Sequence, residues 1–240
     1  MKLAIHQPHY APWLGYFAKW ATADLFIFLD TVQYVKNGWQ NRNRIKTTEG
    51  ARWLTVPVKA RLGTPILDVT VDTSQPWGAR HFAMLGNAYG AAACWGRFRD
   101  ELEAFYWTDW DRLSPVAVSS ARWLAGKLGI TTPTRLASEM ELPDAAQGDA
   151  TARLVALCRA VGADTYLAGQ NGALYMDVAQ FAAAGITVET QQYEHPVYAQ
   201  EHGEFVPFLS ALDLLLSHGD EALGILSRGS TWSPLTPEPK

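Results

Sequence analysis

The chain has 240 residues, 48% of them hydrophobic and 18% charged, with a formal net charge of -4, enough to bury a sizeable core as one large domain or two small ones. That balance exerts no general pull toward nucleic acid or an anionic membrane. Two cysteines without CxxC spacing, Cys94 and Cys158, argue against a disulfide framework and fit a reducing cytoplasm. A membrane span of about 18 apolar residues is missing, and the stretch before His6 does not read as a signal peptide, so the expected location is cytoplasmic.

In chain order, residues 2–5 read as a first strand and 12–22 as a helix, with Pro12 suited to its first turn and Leu14, Phe17, Ala18 and Ala21 at helical spacing. The run 25–29 is short and continuously apolar, as in a parallel strand covered on both faces. Together they form a βαβ unit with an expected right-handed crossover. Residues 52–58 and 66–72 read as two further strands. Helices are expected at 77–92, 95–107 and 114–128, a helical insertion at about 75–130 that would form a lid or subdomain. A short strand at 134–137 follows, then an amphipathic helix at 150–161, a strand at 164–168, a helix at 173–184, a strand at 186–191 and an apolar helix at 209–216. Residues 229–240, with three prolines and little apolar content, read as a loose C-terminal tail. The sum is an α/β fold of Rossmann-like type, a mostly parallel sheet in a single domain over residues 1–228.

Polar groups gather where the first two strands end, and in such a sheet the carboxyl ends of the strands are where ligands bind. His6 follows the first strand, crowded by Gln7 and His9. It reads as a general base or, more plainly, as a histidine bonded to backbone. The HxxH spacing of His6 and His9 invites comparison with the HxGH motif of nucleotidylyltransferases, but Gln7-Pro8 would bring Tyr10 and Trp13, not histidines, to the motif positions. As a metal site the pair lacks a third ligand, so no metal is expected. Asp30 ends the second strand, with Gln33 three residues on; it would orient an imidazole, receive an amine, hold a cation or simply form a turn.

From Lys36 to Lys46 there are four cations and no acid. An extended segment there would place Arg42, Arg44 and Lys46 on one face, fit to hold a phosphate or carboxylate, and Asn41, Asn43 and Ile45 on the other. Trp13, Trp20 and Trp39 lie in the same region and would supply an aromatic pocket wall. Gly169-Gln170-Asn171-Gly172 joins a strand to a helix, where backbone amides bind anions. His195 and Tyr198 follow the last expected strand, and His195 is the second histidine candidate. Asp213 lies inside an apolar helix and needs a buried partner: Arg42 or Arg44, or else His6 or His195.

The segments His6-Gln-Pro, Pro12-Trp-Leu-Gly-Tyr-Phe17, Phe28-Leu-Asp30, Val32-Gln-Tyr34, Asn41-Arg-Asn-Arg-Ile-Lys46, Trp53-Leu-Thr-Val-Pro-Val58 and His195-Pro-Val-Tyr198 carry a resemblance to the WbqC-like family of bacterial O-antigen (lipopolysaccharide), other surface-polysaccharide and natural-product clusters. Further matches at Tyr166-Leu, Gly203-Glu-Phe205 and Leu209–Leu215 extend it over nearly the whole chain. The chain departs from the family pattern at His9 and Phe208, where Asn is usual, and at Gly169–Gly172, where Gly-Pro-Ser-Gly is usual. The resemblance implies activity on amino sugars or activated small acids, as an acyl or aminoacyl transferase. His6 would then deprotonate the acceptor, oriented by Asp30 or Asp213. Arg42, Arg44 and Lys46 would hold the phosphate of a nucleotide sugar, of coenzyme A or of the phosphopantetheine of an acyl carrier protein. Gln7, Gln33 and Asn43 would orient the substrate. Two alternatives stay open: an ATP-dependent ligase or nucleotidyltransferase of Rossmann-like topology, and a non-catalytic ligand-binding partner in a biosynthetic complex. Neither nucleic acid nor membrane is an expected partner, and a homodimer remains open.

Overall fold

The computed structural model describes residues 1–143, 148–170, 172 and 176–236. Its centre is a sheet built on β1 (Lys2–His6), β2 (Leu25–Phe28), β7 (Thr134–Leu136), β8 (Thr165–Ala168), β9 (Thr187–Tyr193) and β10 (Ser230–Leu235), in the order β10-β9-β8-β1-β2-β7. All neighbours pair in parallel except β10, which runs antiparallel to β9. Alternation divides the side chains between two faces. Leu3, Ile5, Leu25, Ile27, Tyr166 and Ala168 pack with Val155, Cys158 and Phe181 of α5 (Ala150–Ala160) and α6 (Val178–Ala183). Ala4, Phe26, Phe28 and Leu167 pack on the opposite side.

That opposite cluster takes in α1 (Leu14–Thr22), α2 (Trp77–Tyr89), α3 (Trp95–Trp107), α4 (Leu113–Lys127), α7 (Ala211–His218) and α8 (Ala222–Ser227). The three middle helices expected as a lid or subdomain are therefore continuous with the core: Leu85, Phe98 and Leu124 belong to the same buried cluster as Phe17 and Phe26. Every residue from Leu14 to Trp20 in α1 is buried, which marks a helix covered on all sides.

Three expected elements form differently. The stretch 52–58 breaks: β4 (Gly50–Thr55) pairs antiparallel with β3 (Arg42–Thr47), and beyond Pro57, which has no amide hydrogen to give a ladder, Val58 starts β5 (Val58–Lys59). In the stretch 66–72, Ile66–Asp68 is a 3-10 turn, and only β6 (Thr70–Val71) pairs, with β5. Ile66 and Val69, three residues apart, both pack on Leu113, a spacing that suits a 3-10 turn. The expected tail at 229–240 instead supplies β10, whose Trp232 and Leu235 pack against the two core clusters. Residues 237–240 of that tail, and 173–175 of the helix expected at 173–184, lie outside the described residues.

Candidate functional site

Chain order reverses on either side of β1: β2 and β7 lie to one side, β8 and β9 to the other. The carboxyl ends of β1 and β8 thus mark a topological switch point. His6 closes β1 there, and Gly169 and Gln170 follow β8. Residues 7–13 form a tight turn between β1 and α1. Ala11 has φ 43, a conformation that L-residues avoid, and is held from both sides: Ser120 Oγ accepts its N–H at 3.0 Å, and its carbonyl accepts from Asn43 Nδ2 at 2.7 Å. The chain is strained and pinned beside the candidate base.

His6 Nδ1 lies 3.0 Å from the Gln7 carbonyl. A carbonyl only accepts, so Nδ1 carries the hydrogen and Nε2 keeps the lone pair. Tyr16 donates its hydroxyl to the same carbonyl at 3.2 Å, and its ring centroid is 4.5 Å from that of His6. The His9 ring meets His6 edge-on, 4.6 Å away at 84°. Among the described residues no group of three or more His, Cys, Asp or Glu is placed to hold a metal.

Beneath the two imidazoles lies Lys19, buried in α1, which donates from Nζ to the Ile5 carbonyl at 3.0 Å. Burial brings its pKa down to about 7. Burial, followed by the Lys19 charge, lowers His9 to about 3. The same causes, then His9, push His6 well below the usual histidine value. Both imidazoles are therefore neutral at physiological pH. No motif marks Lys19; its signal is a single charge inside a nine-residue helix with no polar face, where the amine cannot reach water.

The carboxylates expected behind His6 are engaged elsewhere. Asp30 accepts from the Ser138 amide at 3.0 Å and hydroxyl at 2.7 Å, tying the end of β2 to the turn after β7. Asp213 accepts from Tyr89 and Tyr198 hydroxyls at 2.8 and 2.9 Å, and burial raises its pKa. Its partners are these tyrosines, not Arg42, Arg44, His6 or His195. Tyr198 is thereby an internal tether.

The three-cation face separates in the same way. Lys46 is buried and donates from Nζ to the carbonyls of Gly203 and Glu204, so it holds down the chain that crosses it. Asn43 is buried between Ala11 and the Arg44 amide. Tyr10 is also core: its hydroxyl meets His81 Nδ1 at 3.0 Å and the Tyr106 hydroxyl at 2.8 Å. Trp20 stacks on Phe26 in the core, ring centroids 4.5 Å apart. Trp13 lies against Tyr193 and Phe208. His195 donates from Nδ1 to the Pro196 carbonyl at 3.0 Å and is ringed by Tyr198, Phe205 and Phe208. Its Nε2 is buried with no partner among the described residues.

Arg42 remains available. It lines a cleft of about 580 Å³ with Gln33, Lys36, Asn37, Asn41 and Arg61, with no carboxylate among the described lining residues. Gln7 joins this cleft to the His6 turn: its Oε1 accepts from Gln40 Nε2 at 2.7 Å, and Asn41 next along the chain is a cleft wall.

Comparison with known proteins gives two matches. The model of the WbqC-like protein family matches residues 7–225. A protein of Mycobacterium tuberculosis, described as uncharacterized, is 36% identical over 225 residues, covering 92% of this chain and 95% of that protein. No solved structure matches the chain.

Proposed function

The chain belongs to the WbqC-like protein family, and from that premise we propose that it is a small-molecule transferase. It forms an amide or ester by moving an acyl or aminoacyl group from an activated acid to an amino sugar or similar acceptor in the cytoplasm. The observation that carries this reading is the neutral His6 imidazole, with its Nε2 lone pair, at the carboxyl edge of the central strand. The Rossmann-like reading of the sheet rests on the reversal of strand order beside it.

In this mechanism the acceptor amine or hydroxyl gives its proton to His6 Nε2 as it attacks the acyl carbon. The new C–N or C–O bond forms, the bond to the thiolate or phosphate leaving group breaks, and His6 returns the proton to that leaving group. Gln7, fixed by Gln40, orients the acceptor beside the imidazole. The anionic part of the donor, a phosphate of coenzyme A, phosphopantetheine or a nucleotide, is held by Arg42 and its neighbours in the basic cleft. The clamp is thus Arg42 with Lys36 and Arg61 rather than Arg42 with Arg44 and Lys46.

The test is thiol release from acyl-coenzyme A donors in the presence of amino-sugar acceptors. His6→Gln is expected to lower turnover by about 10²- to 10⁴-fold, the usual worth of a general base, with the fold unchanged by circular dichroism. Turnover equal to that of the parent protein would remove His6 from the mechanism.

A further inference from the structure

The outward face of the β3–β4 hairpin carries aromatic rings and guanidinium groups side by side. Register sets this: Arg42 lies opposite Thr55 and Arg44 opposite Trp53, so these four share one face while Asn43, Ile45 and Leu54 are buried on the other. Trp53 is 41% and Trp39 39% exposed, and their rings lie 5.4 Å apart. The guanidinium carbon of Arg42 is 4.3 Å from the Trp53 ring centre and that of Arg44 5.8 Å. Both arginines keep a buried Nε with no hydrogen-bond partner among the described residues, although buried donors are as a rule satisfied.

At its Arg42 end this strip runs into the basic cleft, where Lys36, Arg42 and Arg61 gather in a protein of formal net charge -4. Asn37 accepts one hydrogen from each Nη of Arg42, which fixes the guanidinium and leaves the rest of its fork free. A flat π surface thus adjoins a pocket for anions.

Building on the transferase reading, we infer that the cleft and the strip bind a nucleoside diphosphate group, with the base stacked on Trp53 beside Trp39 and the two phosphates against Arg42, Arg61 and Lys36. Stacking on an indole accepts any base, because every base has a π-face. Arginine forks match phosphate oxygens bidentately. The cleft volume falls in the range of small-ligand pockets. The cations occupy one cleft instead of a track that would follow a polynucleotide backbone, so the occupant is a single nucleotide.

The experiment is calorimetric titration of the full chain with UDP, ADP, inorganic pyrophosphate and a short single-stranded oligonucleotide. UDP and ADP are expected to bind at least about tenfold more tightly than pyrophosphate. Trp53→Leu removes that margin and leaves pyrophosphate binding unchanged, whereas Arg61→Ala weakens all three by a similar factor. Both side chains are exposed, so the variants are expected to fold, which circular dichroism checks; Trp39→Leu provides a second test of stacking. The titration reads binding without turnover, so a failure here leaves His6 to its own turnover test, and a failure there leaves this site intact. Absence of nucleotide binding, pyrophosphate binding as tightly as UDP, nucleotide affinity indifferent to both tryptophan variants, or an oligonucleotide bound more than tenfold tighter than UDP would each overturn the proposal.

Discussion

At the residue scale, several buried bases have pKa values below their usual ones, and each makes stability depend on pH. His9 is lowered to about 3 and His81 to about 4, against about 6.5 in an unfolded chain. The unfolded state takes up protons that the native state refuses, so stability is complete above about pH 6.5 and declines as the pH falls toward these values. The loss is about 2 kcal/mol per histidine at pH 5. His9→Asn, which cannot titrate, is expected to flatten the acid limb of urea midpoints plotted against pH. An unchanged limb would place the effect on other groups.

Lys19 acts at higher pH. With a native value of about 7, it costs stability below that pH, and the cost is relieved as the pH rises toward the unfolded lysine value. Lys19→Met is expected to stabilise the chain at pH 7 by about 2–4 kcal/mol, even after loss of the hydrogen bond to Ile5, and to abolish the rise in stability above pH 7. The sign of that stability change is the check.

At the scale of elements, helix packing depends on close approach at one glycine. A Cβ at Gly78 in α2 would stand 2.2 Å from the Tyr106 carbonyl at the end of α3. Alanine favours helix over glycine by up to about 1 kcal/mol, less in the first turn where Gly78 lies, so propensity and packing oppose each other. Backbone cannot rotate away as a side chain can, and packing wins. Gly78→Ala is expected to lower stability by about 1–3 kcal/mol; a raised melting temperature would mean that α2 and α3 separate freely. The same competition explains which expectations met the structure. Capped helices lie close to where spacing places them: Asp149 caps α5 by accepting from Thr151 and Ala152, and Ser210 caps α7 by accepting from Leu212. The stretches 52–58 and 66–72 carry strand-like composition, but Pro57 and the packing of Ile66 and Val69 on Leu113 divide them.

At the scale of the whole molecule, β10 closes one edge of the sheet. It pairs with β9 from Ser230 through Leu235, and Gln191 of β9 donates to both Ser230 and the Gly15 carbonyl of α1. Removing residues 230–240 would expose the β9 ladder, a template for pairing with a second chain. The truncated protein is expected to associate or aggregate, measured by light scattering. A monomer with unchanged melting temperature would show that β10 does not protect the sheet.

Much was legible in the residues themselves. The short, continuous apolar runs of β1 and β2 fit a parallel sheet covered by helices on both sides. The ends of those strands locate His6 and Asp30 at the sheet's carboxyl edge, because strand ends and turn residues are local properties of the chain. Pairing is not local. Alternation puts Arg42, Arg44 and Lys46 on one face, but only the tertiary structure lays Gly203 and Glu204 over Lys46 and leaves Arg42 beside an open cleft. Likewise Asp213 finds two tyrosines from distant elements, Lys19 becomes buried because its helix is covered on every side, and a proline-rich terminus is made a strand by an available edge. The sequence by itself determined where polar groups would emerge from the sheet. Folding decided which of them are satisfied internally, since a buried donor or acceptor takes whatever partner the packing of remote segments brings within reach.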